Sequence, residues 1–332
     1  MSGVIELKLR MYLVIALVFG IGFAVLYAIM TYLGFGIFPI LLLAGGFFLL
    51  QWYISPSIIK WSSKLRYLKP DEHPELHEMV NELAKQSGVP VPRLAISESK
   101  EPNAFVFGRT RKSSTLVVHQ GLLDLLNKNE IRAVIGHEIG HLKHNDMVVI
   151  TVVSFVPMLA YLVAENLFFS SMFGGGIGGG RNNGGVYLIL IGVGAFITYL
   201  FSQILTLSLS RARESYADMH SKSITHKPEY LASALVKITN KDISSPQPNR
   251  SAQQAQNGVV RQLCIVDSFS IRKDINELKD HISEVKRLIP EVDVDKLIQN
   301  AEKESGGVHI LGHLFSTHPS LYKRLVTLAE PD

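Results

Sequence analysis

The chain has 332 residues, of which 47% are hydrophobic and only 19% charged, an apolar balance for a soluble protein. Its 33 lysines and arginines against 29 acids leave a net charge of +4, with no basic tract long enough to suggest nucleic-acid binding. The single cysteine, Cys264, excludes an intramolecular disulfide and a cysteine-based zinc cluster, and reads as a small buried hydrophobe.

The apolar excess is concentrated in four runs, 11–33, 36–54, 148–169 and 186–207. Each is near the roughly 20 residues that a transmembrane helix needs. A buried core helix would account for one such run more readily than for four. The first follows Lys8 and Arg10, as in a signal peptide, but it is too long for that and no small-residue cleavage site precedes the next run. The first two runs form a tight hairpin, and "GGGIGGGRNNGG" at 174–185 joins the second two as a flexible connection. Glu165, near the end of the third run, suits an interface or the bundle interior. Lys8, Arg10, Lys60, Lys64, Arg66, Lys69, Lys143, Arg211 and Arg213 flank one side, against Arg181 alone on the other. This asymmetry predicts a multi-pass cell-membrane protein with both termini and 55–147 in the cytoplasm.

Between the second and third runs the pattern is mixed. A helix over 75–86 stops at Ser87-Gly88, with Pro90 and Pro92 beyond. Short strands are expected at 93–97, 103–108 and 114–119, with "RTRKS" as a hairpin turn. Asn127 and Glu130 match a capping box for the helix that follows. Beyond the fourth run, 228–238, 271–288 and 294–302 have helical spacing and suit covering elements, while 240–262 is polar and reads as a mobile insertion. The expected organisation is a membrane hairpin (1–54), the first part of a soluble domain (55–147), a second hairpin (148–207), and the rest of that domain (208–332).

The helix after Asn127 carries "HEIGH" at 137–141. One helical turn separates His137 from His141, so both imidazoles face one way and suit a shared metal ion. Glu138 projects about 100° round, beside the position left open. A histidine pair on a helix is often plain surface polarity, but this one lies between Ile135, Ile139 and Leu142. His144, in the polar "KHND" end, reads as exposed. Catalytic zinc usually takes three protein ligands. "SRARESYADMH" follows the fourth run and puts Glu214 and Asp218 four apart on one helical face. Taken alone this is a solvated charge run; beside HEIGH it suits Glu214 as the third ligand, with Asp218 accepting the outer N–H of a ligating histidine. Seven residues separate His141 from the third run and Glu214 from the fourth, so helices running on would place both roughly 10 Å beyond the membrane ends.

With "EPNAFVFG", "AVIGHEIGHLKHNDM", "SRARESYAD" and "FSTHPSLYKR" in this order, the chain resembles the HtpX group of membrane zinc endopeptidases, relatives of the Ste24 proteases. The resemblance implies an α+β integral membrane protein: four transmembrane helices and a gluzincin-like cytoplasmic protease domain, mostly helical with a small β-sheet. It implies one zinc per chain on His137, His141 and Glu214, with Glu138 as general base and Asp218 as a supporting acid. Asn103 and Ala104 match the strand that pairs with substrate backbone in gluzincins. His318 and Arg324 match late positions near the active site. His318 reads equally well as a helix-start residue before Pro319, and His318, Arg213 and Arg324 are the candidates for stabilising the oxyanion. The implied role is stress-linked quality control, hydrolysing misfolded or damaged membrane proteins. Weighed against it are a CAAX-type prenyl-protein protease, a zinc-holding scaffold, which would not need Glu138, and a transporter, which should carry polar residues at span midpoints.

Overall fold

A computed structural model of the chain describes residues 37–63, 65–173, 184–243, 271–290, 292–303 and 318–330, together with 13, 16, 17 and 20. Most of the run at 11–33, positions 174–183 of the glycine-rich connection, Cys264 and the polar segment from 244 to 262 lie outside these residues. In chain order come α1 (Ile37–Ser62), β1 (Arg66–Tyr67), α2 (Pro74–Ser87), β2 (Arg93–Ser97), β3 (Ala104–Phe107) and β4 (Thr115–His119). Next are α3 (Gln120–Leu125), α4 (Lys128–Lys143), α5 (Asp146–Phe173), α6 (Gly184–Thr225) and α7 (Pro228–Ile243). Last are α8 (Ile271–Asp280), α9 (Ile282–Leu288), α10 (Val294–Lys303) and α11 (Leu321–Ala329). Among the described residues the protein is mostly helical with one small mixed sheet.

The chain divides into two compact units, 1–54 with 149–209, and 55–148 with 210–332. In the first, Val153, Val156 and Leu209 form a small core with Val149 and Leu205 beside it. Phe48 meets Phe155 edge to face at 5.6 Å. Leu42, Leu49, Leu190, Ile197 and Phe201 face outward, an apolar exterior that suits lipid rather than water. Thr198 and Thr206 donate to the carbonyls of Gly194 and Ser202, so these hydroxyls are satisfied within their own helix. Among the described residues, Asp146–Glu165 and Ile189–Thr225 are long and apolar enough to cross a bilayer by length and composition. α1 begins at Ile37 and is helical through the rest of the charge-free run at 36–54.

The second unit is built on a sheet of order β1-β2-β4-β3, with β2 and β4 parallel and the other pairs antiparallel. Side chains alternate between its faces. Ala104, Val106, Leu116 and Val118 join the main core with α2, α4, α7 and α11. Phe105, Phe107 and Val117 turn the other way, against Ile59 and Ala95. This order leaves β3 on an edge. The 3-10 turn Arg111–Ser113 closes the β3-β4 hairpin. α2 ends at Gly88 with φ +68, the left-handed cap that glycine adopts freely. The capping box at the start of α4 is formed: the Asn127 side chain accepts from the Asn129 and Glu130 N–H groups, and Glu130 accepts from the Asn127 N–H.

Three local expectations change. Positions 240–243, assigned to the polar insertion, continue α7, where the Asn300 amide donates to Asn240. The single helix over 271–288 breaks at His281 into α8 and α9. His144 is half-buried rather than exposed, donating to the Gly140 carbonyl with its ring 5.1 Å from Tyr216 of α6.

Candidate metal centre and active site

α4 runs through the core, and His137 and Glu138 on it are 1% and 4% exposed. Close packing against α6 brings the two halves of the site together. A Cβ on Gly140 would lie 3.0 Å from the Ala217 Cα, and one on Gly136 would lie 3.2 Å from the Ser221 Oγ. That hydroxyl donates to the Ala133 carbonyl, so the small-residue face of α4 is also hydrogen-bonded to α6.

The approach places the His137 and His141 Nε2 atoms 3.1 Å apart, with the rings perpendicular. Glu214 faces both: Oε2 is 3.5 Å from His137 Nε2, and Oε1 is 3.4 Å from His141 Nε2. Asp218, one turn on, sits 2.8 Å from His137 Nδ1. Arg324 of α11 grips Asp218 with both ends of its guanidinium, Nε to Oδ2 at 2.8 Å and Nη2 to Oδ1 at 2.7 Å. Its Nη2 also lies 3.8 Å from Glu214 Oε2. Burial disfavours the Arg324 charge, but Asp218 and then Glu214 outweigh it and hold the pKa above its already high ordinary value. His318 Nδ1 is 3.0 Å from Glu214 Oε2. Asn103 is buried, and its carbonyl accepts from the His119 N–H at 2.9 Å, setting the register in which Ala104 begins β3.

His137, His141 and Glu214 can each offer one ligand atom, all within 4.8 Å of one another, as a metal site requires. Two features test the fit. Both imidazoles turn Nδ1 to a carboxylate, so their Nε2 lone pairs face each other and Glu214, which a proton or cation must bridge. Glu214 Oε2 is buried and, among the described residues, makes no hydrogen bond of good geometry. Without metal, burial disfavours a charged His137, but the carboxylates of Asp218 and Glu214 outweigh it and lift the group to about 10. A two-histidine, one-carboxylate set suits a divalent metal that accepts mixed nitrogen and oxygen ligands.

Glu138 lies beside this cluster, close enough to feel His141, His137 and Glu214. Burial pushes its carboxyl up, while the His141 and His137 imidazoles and a hydrogen bond from the Val106 N–H pull it down; the balance is upward. The Val106 contact fixes its place. In the antiparallel pairing Asn103 bonds with His119, so Ala104 and Val106 direct their backbone groups away from β4. Glu138 therefore sits at the edge of β3 that, among the described residues, no other strand pairs.

Two residues stand differently from the sequence reading. Arg213, considered for the oxyanion, turns its guanidinium to Asp146, Nε lying 2.9 Å from Oδ1. Asp146, to which the sequence assigns no role, is 2% exposed, with Oδ2 2.6 Å from His141 Nδ1. Only helical spacing could have found it, and a break in the helix erased that signal, because Asn145 adopts φ +58 and starts a new direction.

A buried His-Glu-x-x-His helix facing a glutamate on a second helix defines a metallopeptidase centre. The model for peptidase family M48 matches residues 70–332. A protease HtpX homolog of Methanothermobacter thermautotrophicus is 42% identical over 235 residues, covering 70% of this chain and 86% of the relative. The homolog of Aeropyrum pernix is 35% identical over 87% of this chain and 84% of its own length. That of Thermoplasma volcanium is 33% identical over 96% and 93%. The crystal structure of S. mikatae Ste24p aligns with a TM-score of 0.47 at 18% identity, covering 94% of this chain and 63% of that one. The chain belongs to peptidase family M48. It is a metalloprotease, a hydrolase with a metal cofactor acting on peptide or protein substrates, and a membrane protein.

Proposed function

We propose that the protein is a zinc-dependent endopeptidase that cleaves misfolded or damaged membrane proteins from the cytoplasmic side. The observation that carries this reading is the meeting of His137, His141 and Glu214 beside Glu138, at the open edge of a strand. In this reading four spans, 11–33, 36–54, 148–169 and 186–207, anchor the chain, and 55–147 and 208–332 form the cytoplasmic protease domain. The basic residues flanking one side of the spans support that orientation.

His137, His141 and Glu214 would hold one zinc ion, with Asp218 fixing the His137 tautomer. Zinc in such a site supplies Lewis acidity, polarising a peptide carbonyl and lowering the pKa of water to about 7. A substrate segment adds to the edge of β3, pairing its backbone with the outward groups of Ala104 and with the Val106 carbonyl, with Asn103 at the strand's entrance. Backbone pairing of this kind is indifferent to side chains and gives broad specificity. The Glu138 carboxylate accepts a proton from the attacking water, and the resulting carboxylic acid donates it to the departing amine nitrogen. A carboxyl held above its ordinary range by burial suits this exchange near neutral pH. His318 and Arg324, both buried against Glu214, would offset developing negative charge.

Connectivity supports membrane-protein substrates. Glu214 and the apolar stretch beginning at Ile189 belong to the same helix. Co-reconstitution in liposomes with one cleavable segment, placed next to a span or on a long flexible tether, tests the preference. The segment near the span should be cut faster. Faster cutting of the tethered segment would contradict the reading.

A further inference from the structure

His137 has a carboxylate behind it and an arginine behind that carboxylate. The same arrangement recurs on His141 with different residues. Asp146, the first residue of α5, brings Oδ2 to 2.6 Å from His141 Nδ1. Its Oδ1 lies 2.9 Å from Arg213 Nε of α6. All three are largely shielded, and both carboxylate oxygens face these side chains. A buried carboxylate without a task is costly to desolvate. Serving only the α5 dipole would need no imidazole at hydrogen-bond distance.

We propose that Asp146 is a positioning residue for His141 and that Arg213 holds Asp146 in place, as Arg324 holds Asp218 behind His137. Accepting the Nδ1–H fixes the His141 tautomer, so that the Nε2 lone pair faces His137 and Glu214. It also makes that nitrogen a stronger donor to a metal. Arg213 keeps the carboxylate from swinging away and offsets its charge beside Glu214. The Asn145 turn, at φ +58, brings Asp146 back over the helix it has just left. Residues of α4, α5, α6 and α11 would thereby hold both histidines ready for a metal.

This inference rests on the reading of His137, His141 and Glu214 as zinc ligands, and the experiment separates the two. In the full-length protein in detergent, zinc dissociation constants are measured by competition with a chelating dye, and the visible spectrum of the cobalt-substituted protein is recorded. The set is wild type, Glu214→Ala, Asp146→Asn, and the double variant Asp146→Asn/Arg213→Gln, which leaves no buried arginine unpaired. Asp146→Asn and the double variant should bind zinc about 10- to 100-fold more weakly. Their cobalt bands should shift, and KM for a peptide at saturating zinc should stay within about twofold of wild type. A zinc constant within about twofold of wild type in both would overturn the proposal, as would weaker binding with an unshifted cobalt spectrum, the mark of a purely structural role. Zinc retained by Glu214→Ala would instead overturn the ligand reading.

Discussion

His137 links the metal site to pH. Its imidazole, lifted to about 10 in the metal-free protein, holds a proton that a metal must displace. At any pH below about 10, zinc binding should therefore release a proton, and this group alone should make affinity rise about tenfold per pH unit between 6.5 and 9. Calorimetric titrations at pH 7 in buffers of different ionisation enthalpy check the release; buffer-independent heats would contradict it. Because the folded value is raised, its contribution to metal-free stability is complete below the unfolded value of about 6.5 and is lost as pH rises through about 10. At this scale the sequence was legible where chemistry follows helical period. The pairs 137/141 and 214/218 each share a face, and the structure brings the two faces together. Asp146, Arg213's partner, escaped notice because the partnership crosses a helix break. The Asp218–Arg324 pair spans 106 residues, and no local pattern records such a distance.

Elements deliver those residues only if α4 and α6 touch. The two glycines of α4 mark that contact, and they are not equivalent. At Gly140 an added methyl meets the Ala217 backbone and the His220 Cβ, which cannot move aside cheaply. At Gly136 it meets the ends of the Ser221 and Ile224 side chains. Gly140→Ala should destabilise by about 1–3 kcal/mol and weaken zinc binding, because it pushes His141 away from Glu214. Gly136→Ala should cost less, since alanine's better helix propensity, worth up to about 1 kcal/mol, offsets part of the crowding. Thermal melts with metal analysis would show this order, and equal zinc affinity in Gly140→Ala and wild type would contradict it. The other end of α4 depends on its cap. Burial raises the Glu130 carboxyl, but Lys237, Ser233 and the Asn127 N–H outweigh it and hold it below the ordinary range. Its stabilisation is present above about pH 4.3 and is lost as pH falls through the lower folded value. Asn127→Ala should cost about 1 kcal/mol. This cap was readable from two residues three apart. The strand order was not, because inserting β4 between β2 and β3 depends on long-range pairing that alternation does not encode.

For the whole molecule, the apolar runs announced a membrane protein, and the acids set just beyond the fourth run already implied a division of labour along one continuing helix, α6. One helix of 42 residues, about 60 Å long at 1.5 Å per residue, carries apolar sequence in its first half and the acids of the site in its second. The proposed orientation predicts that a cysteine placed at Asn182, in a chain with Cys264→Ser, is labelled by an impermeant maleimide from outside intact cells. One placed at Lys100 should be labelled only after the membrane is opened. The reverse pattern would invert the topology. The central claim, that Glu138 moves the proton at a metal held by its neighbours, is tested most directly by measuring metal content and cleavage on one preparation of Glu138→Gln. Zinc should remain near one ion per chain, while casein cleavage falls by at least about 100-fold. Cleavage near the wild-type rate, or zinc lost in parallel with activity, would contradict it.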